Sequence, residues 1–76
     1  MTYYRILRTP AGYPPEQSYM AAAYRDLDYD SSMHCLKKGD GSMFAATLEK
    51  ARGMLPKEAK RLPFEPINQF LELWQA

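Results

Sequence analysis

Cys35 has no second cysteine to pair with, so this 76-residue chain has no internal disulfide. Secreted domains of this size usually carry several disulfides to make up for a small core. Here the core must hold the fold without them, and the lone thiol favours a reducing, cytoplasmic setting. A chain this short buries only about 60% of the surface it exposes when unfolded. At about 0.05–0.15 kcal/mol per residue, the fold rests on roughly 4–11 kcal/mol. One domain, residues 1–76, is the expected organisation.

Composition supports a folded chain: 46% of residues are hydrophobic and 25% charged, the ordinary globular balance. Ten basic and nine acidic side chains leave a net charge of +1. No overall field draws the protein towards a polyanion, and no nucleic-acid partner is expected. The opening MTYYRILRTPAGYPP lacks the apolar stretch of a signal peptide, and no run of about 18 apolar residues occurs. A membrane is not expected as a partner either.

Along the chain, TYYRILR (2–8) is rich in aromatic and β-branched types and ends at Thr9 and Pro10, which predicts a first strand. PAGYPP cannot continue a ladder and is a loop. Pro15 suits a first helical turn, Glu16 complements its dipole, and Tyr19, Met20, Ala23 and Leu27 recur at helical spacing; this predicts an amphipathic helix over 15–28. Gly39-Asp40-Gly41 has the chemistry of a tight turn and predicts a hairpin from 33–38 and 42–46. Phe44, Leu48, Ala51 and Leu55 also fall at helical spacing, with Ser42 available as a cap, so Phe44 lies on strand or helix. If the hairpin forms, Thr47 caps the helix LEKARGML, whose Leu48, Ala51 and Leu55 stripe faces the sheet, and Pro56 ends it or restarts a short turn as an N1 residue before KEAKR. PINQFLELWQA reads two ways: Ile67, Phe70, Leu71 and Trp74 make a helical stripe behind Pro66, and FLELW makes a buried strand.

The architecture these elements predict is α+β: a small antiparallel sheet of three or four short strands, covered by about two helices and closed by the C-terminal segment as helix or strand. The expected core is Ile6, Leu7, Met20, Leu27, Leu36, Phe44, Leu48, Leu55, Phe64, Ile67, Phe70, Leu71 and Trp74.

Chemistry-bearing patterns are incomplete. Asp26, Asp28 and Asp30 alternate as in a calcium loop, but Ser31 stands where the turn glycine belongs and Lys37 where the bidentate glutamate belongs. His34 and Cys35 are the only residues of their kinds, too few for a zinc site. As strand neighbours they point to opposite faces and do not make a dyad. Gly39-Asp40-Gly41 matches neither phosphate-binding glycine motif. Lys37, Lys38, Lys57, Lys60 and Arg61 are offset by nearby carboxylates and lack an aromatic RNA-binding signature. No catalytic residue, metal or cofactor is assigned. All six tyrosines, Tyr3, Tyr4, Tyr13, Tyr19, Tyr24 and Tyr29, lie in the first thirty residues. Tyrosine combines apolar area with a polar tip and is enriched at interfaces, so these residues are the candidate interaction surface.

Tyr4 with Arg5 on an early strand, the F-A-x-T-L-E-x-A stretch from Phe44 to Ala51, and a late Glu72 loosely resemble the layout of ADP-ribosyltransferase-like domains. The resemblance implies a small transferase or toxin-type enzyme using Arg5 and Glu72, provided FLELW is a strand. The leading expectation is instead a non-enzymatic protein-interaction or regulatory module, with a protein partner that includes a second copy of itself as a homodimer.

Overall fold

The computed structural model describes residues 2–25 and 33–76. Leu27, expected in the core, Tyr29 of the candidate interaction surface, and the aspartates at 26, 28 and 30 of the incomplete calcium-loop pattern lie outside the described residues.

Six strands build one antiparallel sheet: β1 (Tyr3–Arg8), β2 (Tyr19–Tyr24), β3 (Met33–Cys35), β4 (Phe44–Ala45), β5 (Lys60–Leu62) and β6 (Phe70–Gln75). Their spatial order is β3-β2-β1-β6-β5, with β4 also paired to β2. Among the described residues, the helical elements are the five-residue α1 (Leu48–Arg52) and a 3-10 turn at Pro15–Gln17. The expected α+β arrangement, a three- or four-stranded sheet under about two helices, is therefore corrected to a mostly antiparallel sheet with one short helix.

The largest correction falls on the described part, 15–25, of the helix expected over 15–28. Pro15 does open a helical turn, but it lasts only to Gln17, and Tyr19–Tyr24 pairs along the whole of β1, from Tyr19 opposite Arg8 to Tyr24 opposite Tyr3. The run YMAAAY has good helix propensity, yet a strand with neighbours on both sides gains ladder hydrogen bonds and burial on two faces. Ala21 and Ala22 are adjacent in the chain, face opposite sides of the sheet, and are both fully buried. That pattern has the period of a central strand, which alanine composition hides.

β1 is the middle of the order and is likewise buried on both faces. Ile6 packs with Ala21, Ala45, Ala51 and Leu55 beneath α1, and Leu7 packs with Ala22 and Tyr24 on the far face. The two clusters are the core. Small side chains at 21, 45 and 51 let α1 sit close to the sheet, a contribution that a search for large apolar residues overlooks. Thr47 caps α1 as expected, accepting from the Lys50 amide at 3.1 Å, and Ala51 and Leu55 turn inward with Leu48 partly buried.

The Gly-Asp-Gly segment is a turn, with the Gly41 amide donating to the Lys38 carbonyl at 2.9 Å, the Ser42 amide donating to Asp40 Oδ1 at 2.9 Å, and Gly41 at φ 85°. It does not join two hairpin strands paired to each other. β3 pairs with Ala22–Tyr24 and β4 with Tyr19–Met20, on the same edge of β2. The chain leaves that edge after Leu36, whose amide still donates to the Ala21 carbonyl at 2.9 Å, and returns at Phe44. Phe44 is thus on a strand.

The C-terminal segment is also a strand. β6 lies between β1 and β5, with a bulge at Leu71 where the register shifts from Ile6 opposite Glu72 to Leu7 opposite Phe70. Ile67 and Phe70 exchange backbone hydrogen bonds around a tight turn in which Asn68 takes φ 53°, a conformation asparagine tolerates. Ile67, expected in the core, is 50% exposed at this turn. No helix among the described residues is long and apolar enough to cross a membrane.

Candidate functional site

Arg5 and Glu72 are both almost fully buried, at 3% and 2% exposure. Opposed residues in a ladder share a face, and neighbours along a strand alternate. Glu72 is opposite Ile6, on the face covered by α1, and Arg5 is opposite Leu73 and Ala22, on the far face. The sheet backbone stands between the two side chains, so they do not converge on one ligand.

Each is held by a different set of neighbours. The Arg5 guanidinium carbon lies 5.0 Å from the Phe70 ring centre, 5.3 Å from Tyr24 and 5.5 Å from Phe64. Those distances are within cation–π range of three rings. Glu72 accepts from Arg52 Nε with both carboxylate oxygens at 3.0 Å, from Arg52 Nη2, and from Trp74 Nε1 at 2.9 Å, with Arg61 Nη2 at 3.6 Å. Burial alone would raise the Glu72 pKa. The Arg52 and Trp74 hydrogen bonds and the charges of Arg52 and Arg61 outweigh it and hold the carboxyl below the ordinary glutamate value. The hydrogen bond to Glu72 raises Arg52 in turn. This cluster ties the end of α1 to β6, and its chemistry is that of a clamp.

The tyrosines divide between the two faces. Tyr3 and Tyr24 are opposite one another on the far face, where Tyr24 is buried and its hydroxyl donates to Met33 Sδ at 3.0 Å. Tyr4 and Tyr19 are partly buried on the α1 face, with the Arg8 guanidinium carbon 5.4 Å from the Tyr19 ring centre. Tyr13 is 47% exposed in the loop before β2, 5.8 Å from the Phe44 ring. Among the five described, Tyr13 is the exposed one.

The two edges of the sheet differ in what they present. β5, the outer strand beside β6, presents Lys60 and Arg61 and runs into Pro63, features that resist pairing by another chain. The opposite edge differs. β3 carries no charged residue, Met33 is 47% exposed, and His34 is exposed. Because Leu36 bonds Ala21, ladder alternation turns the backbone N–H and C=O of His34 inward to β2 and those of Met33 and Cys35 outward. No strand lies beyond β3 among the described residues. A shallow depression of about 200 Å³ adjoins this edge, lined by Thr2, Ala23, Tyr24, Arg25 and His34.

No group of His, Cys, Asp and Glu suited to a metal ion occurs among the described residues. Sequence reasoning missed both the Glu72 clamp and the uncharged edge. Arg52 and Glu72 are twenty residues apart with no spacing rule to link them, and an edge exists only once strand order is known. Comparison with protein families, characterised proteins and solved structures gives no match for this chain.

Proposed function

We propose that this protein is a non-enzymatic interaction module, acting in a reducing compartment such as the cytoplasm by adding a protein partner at the β3 edge of its sheet. The observation that carries the reading is the contrast between the two edges: Lys60, Arg61 and Pro63 guard β5, while β3 offers an uncharged strand with Met33 exposed. Edge addition takes affinity from main-chain hydrogen bonds and specificity from alternate side chains. The transferase reading has less support, because Arg5 and Glu72 occupy opposite faces and each is engaged by neighbouring side chains.

The reading is tested by placing a photo-reactive amino acid at Met33 or, as a control, at Lys60 on the guarded edge, and irradiating the protein in its native cells. Protein adducts at position 33 well above those at position 60 are the expected result. Equal adducts at both, or none at 33, sink the proposal. Calorimetric titration with a nicotinamide dinucleotide is the complementary measurement, and binding there favours the transferase instead.

A further inference from the structure

Resting on that reading, we infer that the partner at the β3 edge is a second copy of this chain, joined by antiparallel β3–β3 pairing about a two-fold axis at His34.

The register follows from which backbone groups face outward. Met33 and Cys35 direct N–H and C=O away from β2, and His34 does not. An antiparallel neighbour centred on His34 sets Met33 opposite the partner's Cys35 and Cys35 opposite the partner's Met33. Each opposed pair then exchanges both of its hydrogen bonds. Centring the axis on Cys35 would instead require Lys37, which lies beyond the point where the chain leaves the edge. The His34 register is the one in which the outward groups of this three-residue strand satisfy each other completely.

The formal net charge of +1 puts little general repulsion between copies. In the resulting dimer one sheet runs through both copies and ends on a guarded β5 at each side. Met33 packs on the partner's Cys35 on the far face, and the two His34 side chains meet on the α1 face.

The arrangement makes an unusual demand on thiol chemistry. His34 and the partner's His34 form the close, non-hydrogen-bonded pair, whose Cα atoms stand about 4.5 Å apart, within the range that a disulfide spans. Cys35 faces Met33 and not another Cys35. A cysteine at 34 should therefore cross-link, and the natural one at 35 should not.

The test uses the full chain at concentrations up to about 1 mM, since an interface under about 1,200 Å² belongs to the weak, transient class. Light scattering on a size-exclusion column is expected to show wild type rising with concentration towards twice 8.8 kDa. Met33→Lys, a charge on the exposed edge that also removes the sulfur accepting from the Tyr24 hydroxyl, is expected to stay monomeric at all concentrations with its circular dichroism unchanged. The double variant His34→Cys, Cys35→Ser, treated with diamide, is expected to give a disulfide dimer at least about 10-fold faster than wild type. A wild type that stays monomeric throughout overturns the inference, as does a dimer that Met33→Lys leaves intact or that cysteine at 34 fails to trap. A monomer that still gives protein adducts from position 33 in cells refutes the homodimer and leaves the interaction reading standing.

Discussion

Replacing Glu72 with glutamine keeps the shape of the side chain and one acceptor for Trp74, and removes the charge that Arg52 grips. Hydrogen bonds to charged groups are worth about 1.5–3 kcal/mol, and Glu72 is held by a guanidinium at both oxygens while nearly excluded from water. The Arg52 side chain is 39% exposed, so it can turn to solvent when its partner is lost, and screening keeps the loss towards the lower end. We expect Glu72→Gln to cost about 1.5–2.5 kcal/mol at pH 7. For a domain of this size, at about 4–8 °C per kcal/mol, that lowers the melting temperature by roughly 6–20 °C. Trp74, the single tryptophan, donates to Glu72 and so reports unfolding from inside the clamp. Urea titrations followed by its fluorescence measure the effect directly.

Acidification adds a second check. The folded Glu72 pKa is depressed, so in acid the unfolded chain binds more protons. The stabilisation is present above the ordinary glutamate value, about 4.3, and is lost as pH falls through the folded value. The gap between wild type and Glu72→Gln should therefore be widest near neutrality and close on descending from about pH 5. A gap below about 0.5 kcal/mol at pH 7, or one that persists unchanged to pH 3, would refute the clamp as described.

Two further substitutions probe how α1 is seated. Thr47→Ala removes the oxygen that accepts from the Lys50 amide and should cost about 0.5–2 kcal/mol, seen as a lower urea midpoint with an unchanged slope. Ala51→Leu places a larger side chain at a fully buried contact beneath the helix and should cost about 1–3 kcal/mol through overpacking; thermal melts that match wild type would show that α1 does not pack closely on the sheet.

The first strand, the cap at Thr47 and the inward stripe of α1 were legible because each depends on residues near one another in the chain. The strand at 19–24 was not. Alanine carries no β-branch and little apolar signal, and what makes YMAAAY a strand is the arrival of β1 on one side and β3 with β4 on the other. Phe70–Gln75 was ambiguous for a related reason: Ile67, Phe70, Leu71 and Trp74 fit a helical period, but Phe70 and Trp74 end on opposite faces because the bulge at Leu71 shifts the alternation. Of the candidate site, tyrosine clustering was visible in sequence, but its division between two faces was not, since neighbours such as Tyr3 and Tyr4 part company the moment they enter a strand.

The detour between β3 and β4 departs from β2 after Leu36 and rejoins the same edge at Phe44, with a turn at Gly41 between. Because both ends are anchored on one strand, residues 37–43 can lengthen or shorten while the pairings on either side stay in step. Each doubling of such a loop costs only about 0.6 kcal/mol in closure entropy. The segment is therefore the natural graft point of the molecule, where a fluorophore tag, an epitope or a recognition peptide can be carried at the margin of the sheet without disturbing its register.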